Sequence, residues 1–445
     1  MFTLLRSLLQ RLDVNRAVGY LLLARGWQLA SGIVSVLLLT SCLGTEQRDL
    51  YSLFVSLIGM QMFVELGLPT IIVLLTSHEW SQLSLDETGR VQGNHEALAR
   101  VANLERAMGR WFMVGAFVFA AVVLNRGYLK MQDTTSVDWL APWIALVLVT
   151  AAAIPFVPKM ALLEGGQQVA TINRVRLSQS VAGSLAVWGV LLAGGGLWSL
   201  VASGIVRWSW EFYIVQVRYR AAFASLGNHV TTGTRILREE VWPLGWRIAL
   251  QTIGSYFGGL YLTQVIDDLK TVGATGQWGM TWQVVSGLQT AALAWVNTRS
   301  PEFGILAAQG QHIELRRRMW RTGGISLVVL ASGVAAFLAG LWGLQWVSPR
   351  HANSFLSIPA AAVMSVGFAT HLVTVLLHTS VRYDKRDPFL IPHTISSAGT
   401  VALAWWGARH YGVTGVVVAY AAVAGLFTLP VAMGIAVWHA RGRQT

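Results

Sequence analysis

Apolar stretches of about 20 residues follow one another from Ala17 to Trp438, and most of the loops between them are short. A stretch of that length crosses the ~30 Å hydrocarbon core as a helix. Helices and closed barrels are the only structures that satisfy their own backbone in lipid. The chain must therefore fold as an all-α polytopic membrane protein. The stretches predict twelve transmembrane helices, at about 17–42, 50–76, 111–130, 139–162, 171–194, 196–218, 242–265, 272–297, 322–347, 354–379, 388–408 and 412–438. Only 12% of the residues are charged, roughly half the ~25% usual in soluble domains.

An even number of spans puts both termini on one side. Of the 33 Lys and Arg residues, only Arg48, Arg126, Lys130, Lys270, Arg350 and Arg409 fall on the opposite side. Positive residues collect on the cytoplasmic face, so both termini are expected in the cytoplasm. The net charge of +12 is spread over short loops, which argues against nucleic acid as a partner and for anionic membrane lipids. Residues 1–15 mix Phe and Leu with Arg at helical spacing and read as a short interfacial helix. Two inner loops have substance. Residues 77–110 include HEALARVANLERAMGR, an amphipathic surface helix, and residues 219–241 separate span six from span seven. That second loop divides the chain into an N-terminal lobe (1–218), the cytoplasmic loop (219–241) and a C-terminal lobe (242–445), each lobe with six helices around a central cavity.

The charges left inside the spans carry the functional signal. A cation in hydrocarbon costs at least ~2.5–3.5 kcal/mol, so it faces a bundle interior or a wet cavity. Arg25 lies about a third of the way along span one, with Gln28, Gly32 and Ser35 on its face. Span seven repeats the stripe with Arg247, Gln251, Gly254 and Gly258. A guanidinium offers a planar fork suited to two phosphate oxygens. Arg25 reads either as an anion site or as an ion-pair partner of Glu65 on the next span. Glu65, with Gln61 one turn before it, is a candidate proton carrier, because hydrocarbon disfavours its charged form; it reads equally as a structural partner for Arg25. Arg207 and Glu211 stand four apart on span six and should pair with each other. Arg247 is near the cytoplasmic end and can snorkel to the headgroups.

Other features carry less. Pro155, Pro158, Pro359 and Pro430 fall inside spans and can kink them, as hinges or as static bends. RRRMWR at 316–321 reads as a lipid and topology anchor. His371 and His378, two turns apart, lack a third metal ligand and read as polar packing. Cys42, the one cysteine, sits in LTSCLG; the apolar run before it, too long for a signal and containing Arg25, and the many spans after it reject a lipoprotein signal. There is no GxxxxGK[ST], and four lysines in all, so no P-loop nucleotide hydrolysis is expected. No serine or cysteine nucleophile motif and no metal cluster point to an enzyme, and no cofactor is implied.

Several segments together resemble a known family. LGTEQRDLYSLFVSLIGMQMFVELGLPT is similar to the first-loop and second-span signature of bacterial polysaccharide-export flippases of the Wzx type. These belong to the multidrug/oligosaccharidyl-lipid/polysaccharide exporter superfamily. MALLEGGQQVATINRVR after span four, VWPLGWRIALQTIGSYF opening span seven, WGMTWQVVSGLQTAALAWVNTRSPEFG through span eight and RYDKRDPF after span ten agree in order and spacing. The resemblance covers nearly the whole chain.

It implies a transporter of the bacterial inner membrane, not an enzyme, with two lobes alternately opening a cavity to either side. The implied cargo is an undecaprenyl-pyrophosphate-linked oligosaccharide for capsule, exopolysaccharide or lipopolysaccharide O-antigen synthesis. Glycosyltransferases and a polysaccharide polymerase are its implied partners. Arg25, Arg207 and Arg247, with Gln28 and Gln251, are then the substrate-binding candidates, and Glu65 and Glu211 the coupling candidates. An ion-coupled multidrug exporter of the same superfamily is the nearest alternative. A polyprenyl-linked glycosyltransferase or polymerase is more distant, because those reactions usually need a sizeable outer loop.

Overall fold

In the computed structural model, which describes residues 16–227, 241–309, 311–382 and 388–441, every stretch predicted to span the membrane is helical. The expected interfacial helix at 1–15 lies outside the described residues, as do most of the inter-lobe loop and the basic part of RYDKRDPF. In chain order the first helices are α1 (Arg16–Cys42) and α2 (Thr45–Ile58), followed by the short α3 (Met62–Glu65) and α4 (Leu68–Glu79). A hairpin of β1 (Leu83–Leu85) and β2 (Val91–Gly93) leads into α5 (His95–Met131). Then come α6 (Leu140–Ala153), α7 (Val157–Gly165), α8 (Val169–Leu192), α9 (Trp198–Phe212) and α10 (Arg220–Gly227). The second half holds α11 (Trp242–Phe257), α12 (Tyr261–Asp267), α13 (Ala274–Ala308), α14 (His312–Val347) and α15 (Pro349–Ala352). It ends with α16 (Ile358–Arg382), α17 (Leu390–Ala422) and α18 (Leu429–Arg441).

Among the described residues, seven helical stretches are long and apolar enough to cross a membrane. One of them, Leu390–Trp438, covers the last two predicted spans. Gly412 divides it, with φ of 59° in the left-handed region. Across that turn Gly407 and Gly415 touch backbone to backbone, and a Cβ on Gly407 would sit 2.6 Å from the Gly415 carbonyl oxygen. Large apolar side chains face outward within the spans, with Phe117 72% and Leu426 82% exposed. Such a surface suits hydrocarbon and not water.

The described chain forms two compact units, one of residues 1–31 with 60–252 and the other of 32–59 with 253–445. In the first, α5, α6 and α9 pack round Phe112, Val123, Trp143 and Val147. Gly127 lies flat against the Trp143 indole, where a Cβ would stand 2.3 Å from the ring. In the second, α2 packs along α13, with Gly276 and Gly279 admitting Arg48 and Ser52 of α2.

The prolines act in different ways. Pro155 and Pro158 fall where span four tightens into a 3-10 turn at Ile154–Phe156 and resumes as α7. Pro359 is not internal: α16 begins at Ile358, so the ring occupies the first turn, where no helical N–H is lost. Pro430 follows a π-helical turn at Val423–Thr428, which absorbs its missing donor. The surface helix expected near 95–110 is continuous with span three as α5, and Asn94 caps it by accepting from the Glu96 amide at 2.8 Å. The hairpin before it turns on Asp86, whose carboxylate accepts from the Thr88 hydroxyl at 2.7 Å and the Arg90 amide at 2.8 Å. Those bonds hold the Asp86 carboxyl below its usual range.

Candidate functional site

The polar centre of the first unit is built on a helix that stops and restarts. After a 3-10 turn at Gly59–Gln61 and the single turn of α3, Leu66 and Gly67 take left-handed conformations, with φ of 46° and 71°. A non-glycine residue pays ~1–2 kcal/mol for that region. At Gly67 a Cβ would also lie 2.2 Å from the Ile248 side chain. The break removes the partner of the Val64 carbonyl, and Trp111 supplies another by donating Nε1–H to it at 2.9 Å. Such replacement is what allows irregular backbone inside a membrane protein. Pro69 then starts α4 without an amide to leave unpaired.

The polar residues on this broken segment, Gln61 and Glu65, meet span six. On α9 the Arg207 Nε donates to Glu211 Oε1 at 3.0 Å, the pair expected from the i,i+4 spacing. One terminal nitrogen of the same guanidinium points at Gln61 Oε1, at 3.5 Å. Glu65 is half-buried and within electrostatic reach of both Arg207 and Glu211. Glu211 is only 7% exposed, and its second oxygen is buried without a hydrogen-bond partner. The Arg207 side chain remains 37% exposed. The cluster thus combines one accessible guanidinium with two carboxylates. Its surroundings are aromatic: Trp208 lies 5.4 Å from Phe212, and Trp210 donates to Ser178 Oγ at 2.8 Å.

The other candidates stand on other helices. Arg25 belongs to α1, but its side chain lies outside the described residues, and with it the Arg25–Glu65 pair. Beside it Gln28 is exposed, and Trp27 donates to Ser184 Oγ and the Ser180 carbonyl, each at 3.3 Å. Arg247 is exposed on α11, its guanidinium 5.4 Å from the Trp246 ring centre, and Gln251 is half-buried one turn on. Arg176 pairs with Glu164 at 2.7 Å. His378 lies 3.9 Å from the Phe389 ring as packing.

Two polar arrangements in the second unit were not foreseen. Arg48, assigned by its loop position to the outer surface, is only 7% exposed. It donates to Ser354 Oγ, to Thr45 Oγ1 at 3.2 Å and to the Thr40 carbonyl at 3.4 Å, tying three chain segments together. Its neighbour Asp49 accepts from the Gly273 and Gly276 amides at 2.6 Å each, capping the start of α13. The second arrangement joins Gln289 to His371 at 3.1 Å and Ser255 to His393 at 3.4 Å. Of these four residues only His371 was singled out in the sequence, as polar packing, and nothing local identifies its partners.

No protein-family model matches the sequence, and no curated protein matches it. Solved structures match over nearly the whole chain. An inward-facing multidrug resistance MATE family transporter of the MOP superfamily aligns with a TM-score of 0.65 at 12% identity, covering 93% of each chain. A MOP superfamily transporter from Pyrococcus furiosus aligns at 0.59 and 11% identity, over 96% of this chain and 94% of that one. Its description reads reverse polarity of the binding pocket as a sign of different function. The lipid II flippase MurJ, inward closed, aligns at 0.55 and 12% identity, over 91% of this chain and 86% of that one. At these identities the likeness defines the fold: an all-α polytopic membrane fold shared with MOP superfamily transporters.

Proposed function

We propose that the chain is a flippase that carries undecaprenyl-pyrophosphate-linked oligosaccharide across the bacterial inner membrane by alternating access. Arg207 carries the reading: a partly exposed guanidinium inside a transmembrane helix, held through Nε by Glu211. Such a group suits an anionic ligand. The Wzx-type resemblance along the chain supports the same cargo, and one protein of like fold is a flippase for lipid II. Arg25 and Arg247 join Arg207 in holding the pyrophosphate, Gln28 and Gln251 line the glycan path, and Glu65 with Glu211 couples transport to an ion. The prenyl tail stays in lipid, and both termini lie in the cytoplasm.

A second reading has equal support from the fold, since a multidrug resistance transporter shares it. Here Glu65 and Glu211 would meet a cationic drug. Proteoliposomes separate the two. The flippase moves lipid-linked oligosaccharide between leaflets, and Arg25→Ala abolishes that movement while the protein stays inserted. Efflux of cationic dyes without lipid translocation overturns the reading.

A further inference from the structure

None of the roles above uses the imidazole cluster of the second unit. Gln289 on α13 is buried, and its Nε2 lies 2.8 Å from the Phe368 carbonyl and 3.1 Å from His371 Nδ1 on α16. A peptide carbonyl only accepts, so the Gln289 amide must present its NH2 to α16 and donate to both groups. His371 Nδ1 is then an acceptor, and the ring proton sits on Nε2. Phe368 is fixed by its ring, 4.7 Å from Trp282 and 5.5 Å from Tyr420, so the carbonyl that sets this orientation is itself held.

His393 stands on α17, which packs along α16. Its Nε2 is 3.4 Å from Ser255 Oγ on α11. Gly254 makes room for it: a Cβ there would lie 3.1 Å from the ring. Both His371 and Ser255 are exposed, and His371 stands well inside a helix long and apolar enough to cross a membrane. Polar side chains at such depth face protein or a water-filled cavity, not lipid. Among the described residues no group of three His, Cys, Asp or Glu could hold a metal ion. The cluster contains no fixed positive charge to attract phosphate. It offers hydroxyl, amide and imidazole groups, the chemistry that pairs with neutral hydroxyls.

Resting on the flippase reading, we propose that Ser255, Gln289, His371 and His393 form a subsite for the hydroxyl-bearing glycan of the lipid-linked substrate. His371 Nε2–H donates to a sugar hydroxyl, and Gln289 is the positioning residue that fixes the tautomer. The test uses the full chain in detergent and two probes. One is the undecaprenyl-pyrophosphate-linked oligosaccharide that accumulates in the source organism when this gene is deleted; the other is glycan-free undecaprenyl pyrophosphate. His371→Ala should weaken the glycan-bearing probe about tenfold, the size of one good hydrogen bond, and leave the glycan-free probe unchanged. His371→Gln should recover part of the loss. Ser255→Ala should weaken the glycan-bearing probe alone about threefold. Equal losses for the two probes, or unchanged binding of both in all three variants, overturn the subsite and leave the flippase reading standing. A wild-type chain that binds the two probes equally does the same. A wild-type chain that binds neither removes the functional reading and the subsite together.

Discussion

Arg207 does two jobs that a single substitution confuses. Its bond to Glu211 stabilises a buried carboxylate, and its exposed part is the proposed pyrophosphate ligand. Arg207→Ala leaves Glu211 buried and unpaired, which typically costs ~3–5 kcal/mol. Lost transport in that variant would therefore be lost folding as much as lost chemistry. Replacing both members avoids this. A buried pair exchanged for apolar side chains of similar size is often neutral or stabilising. We expect Arg207→Met/Glu211→Met to insert and melt within a few degrees of wild type while losing translocation of lipid-linked oligosaccharide. Thermal unfolding in detergent and the proteoliposome assay, run on one preparation, check both halves; a transporting double variant removes Arg207 from the substrate site. Arg207→Lys should retain only part of the activity, since a point charge replaces a fork. This pair was legible in the sequence because i,i+4 spacing on a helix is a local rule. The bond between Gln289 and His371 was not, because 82 residues separate its partners and no local pattern encodes which helix faces which.

At the scale of elements, the sequence indicated where helices run but not where they break. The Leu66–Gly67 break lies within a stretch that hydropathy reads as one span, though the Gly67 and Pro69 spacing was an available signal. The π-helical turns at Tyr213–Arg218 and Val423–Thr428 left no such mark, because a one-residue bulge hardly alters an apolar pattern. The break has a testable energy. Gly67→Ala must adopt a left-handed conformation and displace the Ile248 side chain, so we expect a loss of ~2 kcal/mol or more. Trp111→Phe keeps an aromatic side chain but strands the Val64 carbonyl, for a loss of ~1–3 kcal/mol. Melting curves of the purified variants give both numbers. Wild-type stability in Gly67→Ala would mean that span two runs unbroken through Gly67. Arg48 teaches a related lesson. Positive residues in short outer loops are read as solvated, yet Arg48 lies in the first turn of α2 and its guanidinium is buried among Ser354, Thr45 and Thr40.

For the whole molecule, the proposed flippase reading raises the question of what would drive its cargo outward. A pyrophosphate carries about two negative charges. Each charge moved across 100 mV is worth about 2.3 kcal/mol, so an inside-negative potential of that size favours outward passage of the bare dianion by about 4.6 kcal/mol. The potential alone then suffices for export if no countercharge travels with the lipid. In the proposed reading Glu65 and Glu211, gathered beside Arg207, carry a proton inward, adding the pH gradient to the same direction. The two sources separate in proteoliposomes with imposed gradients. We expect an inside-negative potassium diffusion potential to accelerate outward translocation severalfold in the wild type, and a further gain when the outside is acidic. Glu65→Gln should keep the response to potential and lose the response to pH, because the amide carries no titrating proton. A variant that responds to pH like the wild type removes Glu65 from coupling. A wild type indifferent to potential shows that the dianion crosses with an equal countercharge, so that the membrane potential does no work on it.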